Sequence, residues 1–163
     1  MKAFAGNRCF FLTGLIILPL FFFNCEHNSI NTKTLSNGYY VAEMKDFDSM
    51  GWKEFVSIYV NNGHIVTVEY NAKNISGFIK SWDPDYMREM NTTNHTYPNQ
   101  YKREYAFALL NFQDLNRIDV VSGATNSYNT FISLANAVIE QARNGNRQIA
   151  LVELHPAKES SSP

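Results

Sequence analysis

Two β-prone runs, Phe55 to Val60 and Ile65 to Tyr70, flank Asn61-Asn62-Gly63-His64. No other stretch constrains the fold as tightly. Asn-Gly accepts the two positive φ angles of a type I′ turn, whose twist matches the strands it joins. With Asn62 and Gly63 as the loop, Val60 faces Ile65 and Ile58 faces Thr67 on one side of the hairpin. Tyr59 faces Val66 and Phe55 faces Tyr70 on the other. Both sides are mostly apolar, so both are expected to be covered.

Gly38 to Met44, with Tyr39, Tyr40 and Val41, reads as a strand before the hairpin, and a loop through Asp46, Asp48 and Gly51 follows it, anchored by Trp52. Asn71 to Ser81 is a loop. Asp83-Pro84 gives an N-cap with proline at the first helical position, opening a short helix through Tyr86 and Met90. Asn91 to Gln100 reads as a polar loop, and Tyr105, Ala106, Leu109, Leu110 and Phe112 predict a second helix within Tyr101 to Leu115. The clearest helical stripe comes last: Tyr128, Phe131, Ala135, Val138 and Ala142, widened by Leu134 and Ile139, with Gly145 as C-cap. Gln148 to Leu154 reads as a final strand. These elements predict an α+β fold, a mainly antiparallel sheet with helices packed on it. A content of 45% hydrophobic and 18% charged residues suits one globular domain.

The first residues read as an export signal. Lys2 and Arg8 precede the apolar run Cys9 to Phe23, which falls short of the roughly 20 apolar residues of a spanning helix. Phe22-Phe23-Asn24-Cys25 reads as a lipobox, which makes 1–24 a cleaved signal peptide and Cys25 the lipidated residue, and places the chain on the extracytoplasmic face of a bacterial membrane. Asn24 and Phe22 depart from the small or aliphatic residues usual there. Residues 25–37 are polar and read as a tether, 38–154 as the folded domain, and 155–163 as a disordered tail.

Composition excludes several chemistries. Removing Lys2 and Arg8 from the 14 basic residues leaves the 15 acidic ones in excess, with no basic run to track a phosphate backbone, so nucleic acid is not an expected partner. The four histidines, at 27, 64, 95 and 155, share no metal-binding spacing, and no metal is expected. Cys9 and Cys25 leave the exported domain without a free thiol. Ser122 and Ser127 lack a nucleophile context, and no catalytic residues are expected.

Chemistry concentrates instead at Asp119-Val120-Val121-Ser122-Gly123-Ala124-Thr125. Val120 and Val121 suit a strand end, Gly123 a sharp turn, and Thr125, Asn126 and Ser127 the cap of the last helix. The unpaired amides of a helix start form a site for a phosphate, and a threonine hydroxyl there is placed to carry one. The segment resembles the Asp-x-x-Ser/Thr-Gly-Ala-Ser/Thr pattern of the FMN-binding domain family, which includes subunits of the sodium-pumping NADH:quinone reductase and of the Rnf complex, and small surface lipoproteins. The resemblance to the lipoprotein branch runs from about Gly38 to Gly145, through Gly51-Trp52-Lys53, the Asn-Gly hairpin and Tyr70-Asn71-Ala72-Lys73-Asn74.

The resemblance implies covalent FMN, installed by a flavin transferase as a phosphodiester on Thr125, with Asp119, Ser122, Gly123 and Ala124 completing the motif. It also implies electron transfer between a membrane redox complex and an extracytoplasmic acceptor, by a carrier rather than a stand-alone enzyme. Lys80, Trp82 and Tyr86 are further candidates for the flavin site, as a cation and stacking rings. A reading of a different class is a surface lipoprotein that binds or docks without flavin.

Overall fold

The hairpin forms where the sequence places it, with Asn62 at φ 51° and Gly63 at φ 77°, the two positive values of a type I′ turn. It joins β2 (Lys53–Asn61) to β3 (His64–Lys73). The structure, a computed structural model, describes residues 34–153 apart from the side chain at position 94. The predicted signal, Cys25, most of the tether and the tail lie outside the described residues.

Four strands form one sheet in the order β3-β2-β1-β4, with β1 (Gly38–Met44) antiparallel to β2 and parallel to β4 (Ala150–Val152). Three helices complete the α+β fold: α1 (Pro84–Asn94), α2 (Pro98–Phe112) and α3 (Thr125–Asn144). Tyr40, Ala42, Val56, Ile58, Val60, Ile65 and Tyr70 face the helices, meeting Tyr105 and Leu109 of α2 and Phe131, Leu134, Ala135 and Val138 of α3 in one core. The rings at its centre are in contact, with Phe131 5.4 Å from Tyr105 and 5.1 Å from Tyr70 between centroids.

Three expectations need correcting. Val60 pairs with Ile65 as predicted, but an irregularity at Tyr59/Val60 shifts the rest, so Tyr59 meets Thr67, Ile58 meets Val68 and Phe55 meets Asn71. An extra residue at a bulge moves every later partner by one. The hairpin is also not covered on both sides, because Tyr39 stacks on Tyr59 at 4.4 Å on the far face and is itself 71% exposed. The predicted loop from Asn91 to Gln100 is mostly helix: α1 runs to Asn94, ends on His95 at φ 55°, and Pro98 opens α2 three residues later.

Local chemistry explains the other boundaries. Asp83 Oδ1 accepts from the Tyr86 amide at 3.0 Å and Pro84 takes the first helical position, as the sequence implies. Gly145, at φ 65°, closes α3. Leu35 packs against the core and the Ser36 amide donates to the Ala142 carbonyl, so the described end of the expected tether lies along the domain. At the edge of β3, Gln113 substitutes for a neighbouring strand. Its Oε1 accepts from the Ile65 amide at 2.9 Å, and its Nε2 donates to the Ile65 carbonyl at 2.8 Å.

Candidate functional site

The segment before α3 is not a strand. Val120 is 51% exposed, and two tyrosines pin the backbone in an irregular path: the Tyr105 hydroxyl accepts from the Val121 amide at 3.0 Å, and the Tyr128 hydroxyl donates to the Ile118 carbonyl at 3.1 Å. No sheet partner is available at this point, so side chains satisfy groups that a ladder would otherwise pair. Gly123, at φ 79°, makes the turn, and Ala124, not Thr125, is the N-cap residue. Tyr105→Phe is expected to cost about 1–3 kcal/mol, because the Val121 amide loses its acceptor. Thermal unfolding and hydrogen exchange at Val121 check this; unchanged protection there would show that the tyrosine does not hold the loop.

Ala124 has no side-chain acceptor, so α3 starts uncapped. Among the described residues no acceptor meets the amides of Thr125, Asn126 and Ser127, and no hydrogen bond engages the exposed Thr125 hydroxyl. All three residues line a cleft of about 1100 Å³, together with Gly123 and Ala124. The helix start therefore presents free donors and the positive end of its dipole to this cleft.

Lys80 lies on another wall. It belongs to a 3-10 turn, Lys80–Trp82, and is only 6% exposed, yet no carboxylate among the described residues lies within ion-pair distance. Its ammonium sits 4.5 Å from the Tyr86 ring centroid and 5.2 Å from that of Trp52. Burial lowers its pKa from 10.5, an effect that Asp48 and Glu54 offset in part. Ring faces are a partial substitute for water around a cation, and an anion in the cleft would be a better one.

Beneath the cleft runs a buried polar wall. Lys102, 3% exposed, reaches Glu54 Oε1 at 2.5 Å and lies 4.1 Å from the Tyr70 ring centroid. The Tyr70 hydroxyl is 3.0 Å from Glu54 Oε2 and 2.9 Å from the Ser127 carbonyl, which ties β2, β3, α2 and the first turn of α3 together. Burial pushes the Tyr70 phenol well above its usual range, with the Glu54 charge adding to the effect, and lowers the Lys102 ammonium despite its partner. Tyr101, which lines the cleft, is raised by burial to about 12.

The structure thus brings Thr125, Gly123, Ala124, Lys80 and Tyr86 into one cleft. Asp119 and Ser122 are exposed and do not line it, and Trp82 lines a different cleft. Sequence reasoning missed Glu54 and Tyr101 as lining residues and gave Trp52 only an anchoring role. Glu54 carried a signal, since it shares the inward period of Val56, Ile58 and Val60 on β2. Among the described residues no cluster of His, Cys, Asp and Glu is arranged to hold a metal ion.

Comparison with known proteins gives the lineage. No family model matches the chain. A crystal structure of a Clostridium perfringens protein superposes with a TM-score of 0.70 at 34% identity, covering 74% of this chain and 99% of that one. The 15 kDa lipoprotein of Treponema pallidum is 37% identical over 115 residues, which is 71% of this chain and 82% of the relative. The chain belongs to the family of that treponemal 15 kDa lipoprotein.

Proposed function

We propose that this protein is an exported lipoprotein, tethered through Cys25, whose α3 cleft carries FMN esterified through its phosphate to Thr125. The observation that carries this reading is the Thr125 hydroxyl, unbonded among the described residues, at an uncapped helix start, in the same cleft as a buried lysine with no described carboxylate within ion-pair distance. The residues fit the group. The amides at the start of α3 suit a phosphodiester, and Lys80, Trp52 and Tyr86 offer a cation and electron-rich ring faces to a planar, electron-poor ligand. FMN supplies the capacity to accept and release electrons. The chain's own residues hold it, orient it and leave one side of the cleft open to a partner.

Loading would be the work of a flavin transferase using FAD. The Thr125 oxygen attacks the flavin-side phosphorus, the phosphoanhydride breaks, AMP departs, and the hydroxyl proton passes to solvent. A membrane redox complex would then donate electrons for an extracytoplasmic acceptor. Among the described residues no helix is long and apolar enough to cross a membrane. The lipoprotein name of the treponemal relative supports the tether at Cys25.

That name supports a second reading more directly than it supports flavin, a surface lipoprotein that acts as a binding or interaction module. Intact mass after co-production with a flavin transferase separates the two. The expected result is an added FMN less one water, mapped to Thr125 and absent from Thr125→Val, with both proteins unfolding at closely similar temperatures. An unmodified Thr125 in the co-produced protein would rule out the flavin reading and leave the binding module.

A further inference from the structure

A second cleft, of about 750 Å³, opens on the far side of the Lys102–Tyr70 wall, between β3, the 3-10 turn and α2. Nothing in the proposed flavin chemistry uses it. Two rings flank it, Trp82 from the turn and Phe107 from α2, and each is 66% exposed. Tryptophan is highly buried on average, and rings bind with little loss of side-chain entropy. Trp82 is held in place by an edge-on contact with Phe78, at 6.0 Å between centroids.

The polar groups of this cleft are fixed by one another. Asn71, 7% exposed, donates to Glu69 Oε1 at 2.8 Å and to Ser81 Oγ at 3.0 Å, while its own Oδ1 accepts from the Ala72 amide. Asn99 Nδ2 donates to the Ser81 carbonyl at 3.0 Å. Among the described residues this leaves Glu69 Oε2, the Ser81 hydroxyl hydrogen, Asn99 Oδ1 and the Arg103 guanidinium without hydrogen-bond partners. They form a short, mixed row of donors and acceptors, in which Glu69, Ser81 and Asn99 are already oriented.

Charge and backbone narrow the ligand class. Glu69 and Arg103 balance each other and Lys102 is neutralised by Glu54, so neither a strong anion nor a strong cation is favoured. An extended peptide would add to the edge of β3, but that edge is occupied at both ends. Gln113 takes Ile65, and a bridge to Ile79 takes Lys73. The two exposed rings and the mixed polar row suit a molecule with flat apolar C–H faces and a rim of hydroxyls.

We propose that this second cleft binds a neutral saccharide, with a pyranose face on Trp82 and hydroxyls meeting Glu69, Asn99 and Arg103. The site is independent of the flavin reading. Its test uses the full chain carrying Trp52→Phe, which leaves Trp82 as the sole tryptophan. Hexasaccharides of β-1,4-linked glucose and of β-1,4-linked N-acetylglucosamine are titrated while Trp82 emission is followed, with a hyaluronan fragment as the charged comparator. At least one neutral probe is expected to give a saturable change with a Kd of about 1 mM or tighter. Phe107→Ala and Asn99→Ala, each added to that background, should weaken binding by about tenfold or more, and Phe107→Ala, whose ring is exposed, should do so with the unfolding curve in place. Unchanged emission with both neutral probes, binding that survives both substitutions, or binding of hyaluronan alone would each overturn the proposal.

Discussion

Glu54→Ala is expected to destabilise the domain by about 3–5 kcal/mol, because it strands the Lys102 ammonium, which is 3% exposed, without a counter-charge. Ordinary domains have only about 5–15 kcal/mol of stability, so this one substitution removes a large share. It also takes an acceptor from Tyr70, whose hydroxyl connects the sheet to the first turn of α3. The double substitution Glu54→Leu with Lys102→Met should recover most of the loss, since it removes both charges and keeps the volume. Urea unfolding of the unsubstituted protein, Glu54→Leu, Lys102→Met and the double variant measures the coupling. A loss below about 1 kcal/mol for Glu54→Ala would show that water solvates Lys102 once its partner is gone.

Alkali is expected to unfold the domain through its tyrosines. Burial raises Tyr101 from 10.0 to about 12 and raises Tyr70 as well, so the unfolded chain releases these protons at a lower pH than the folded chain. From about pH 10 to about pH 12 the folded state therefore binds more protons, and stability falls as pH rises through that window. Lys80 and Lys102 act in the opposite sense at lower pH. Their pKa values are lowered from 10.5, so the folded state releases protons first, and their contribution rises with pH until the unfolded lysines also titrate. Urea midpoints from about pH 9 to about pH 12 should drop in the upper part of that range, less steeply in Tyr101→Phe. Level midpoints across the range would refute the assignment.

Elements whose chemistry is local were legible in the sequence. The Asn62-Gly63 turn, the Asp83-Pro84 start of α1 and the α3 stripe from Tyr128 to Ala142 each depend on a few adjacent residues, and each formed in place. What was missed depends on distant partners. The shift at Tyr59/Val60 is a property of two strands together, and the irregular path through Val120 and Val121 depends on Tyr105 and Tyr128 reaching Val121 and Ile118 from two helices. The buried pair was readable in principle. Glu54 is in phase with Val56 and Ile58, and Lys102 precedes Tyr105 by three residues and Leu109 by seven, so opposite charges occupy two inward stripes. Lys80 and Trp82 could not be separated by spacing alone. In a 3-10 turn a step of two residues swings a side chain by about 240°, which sends them into different clefts.

Gln113 bears on how molecules of this kind tolerate crowding. A ten-residue outer strand carrying Val66 and Val68 would ordinarily invite a second copy to extend the sheet. Gln113 stands at the left-handed end of α2, at φ 54°, and the planar amide of its side chain reproduces the donor and acceptor of a peptide group against Ile65. The position from which a neighbour would begin to zip is thus taken by the protein itself. Under the proposed tether, which would concentrate copies in the plane of a membrane, that side chain, with the Ile79 bridge at the other end of the strand, favours discrete molecules over fibrous self-association.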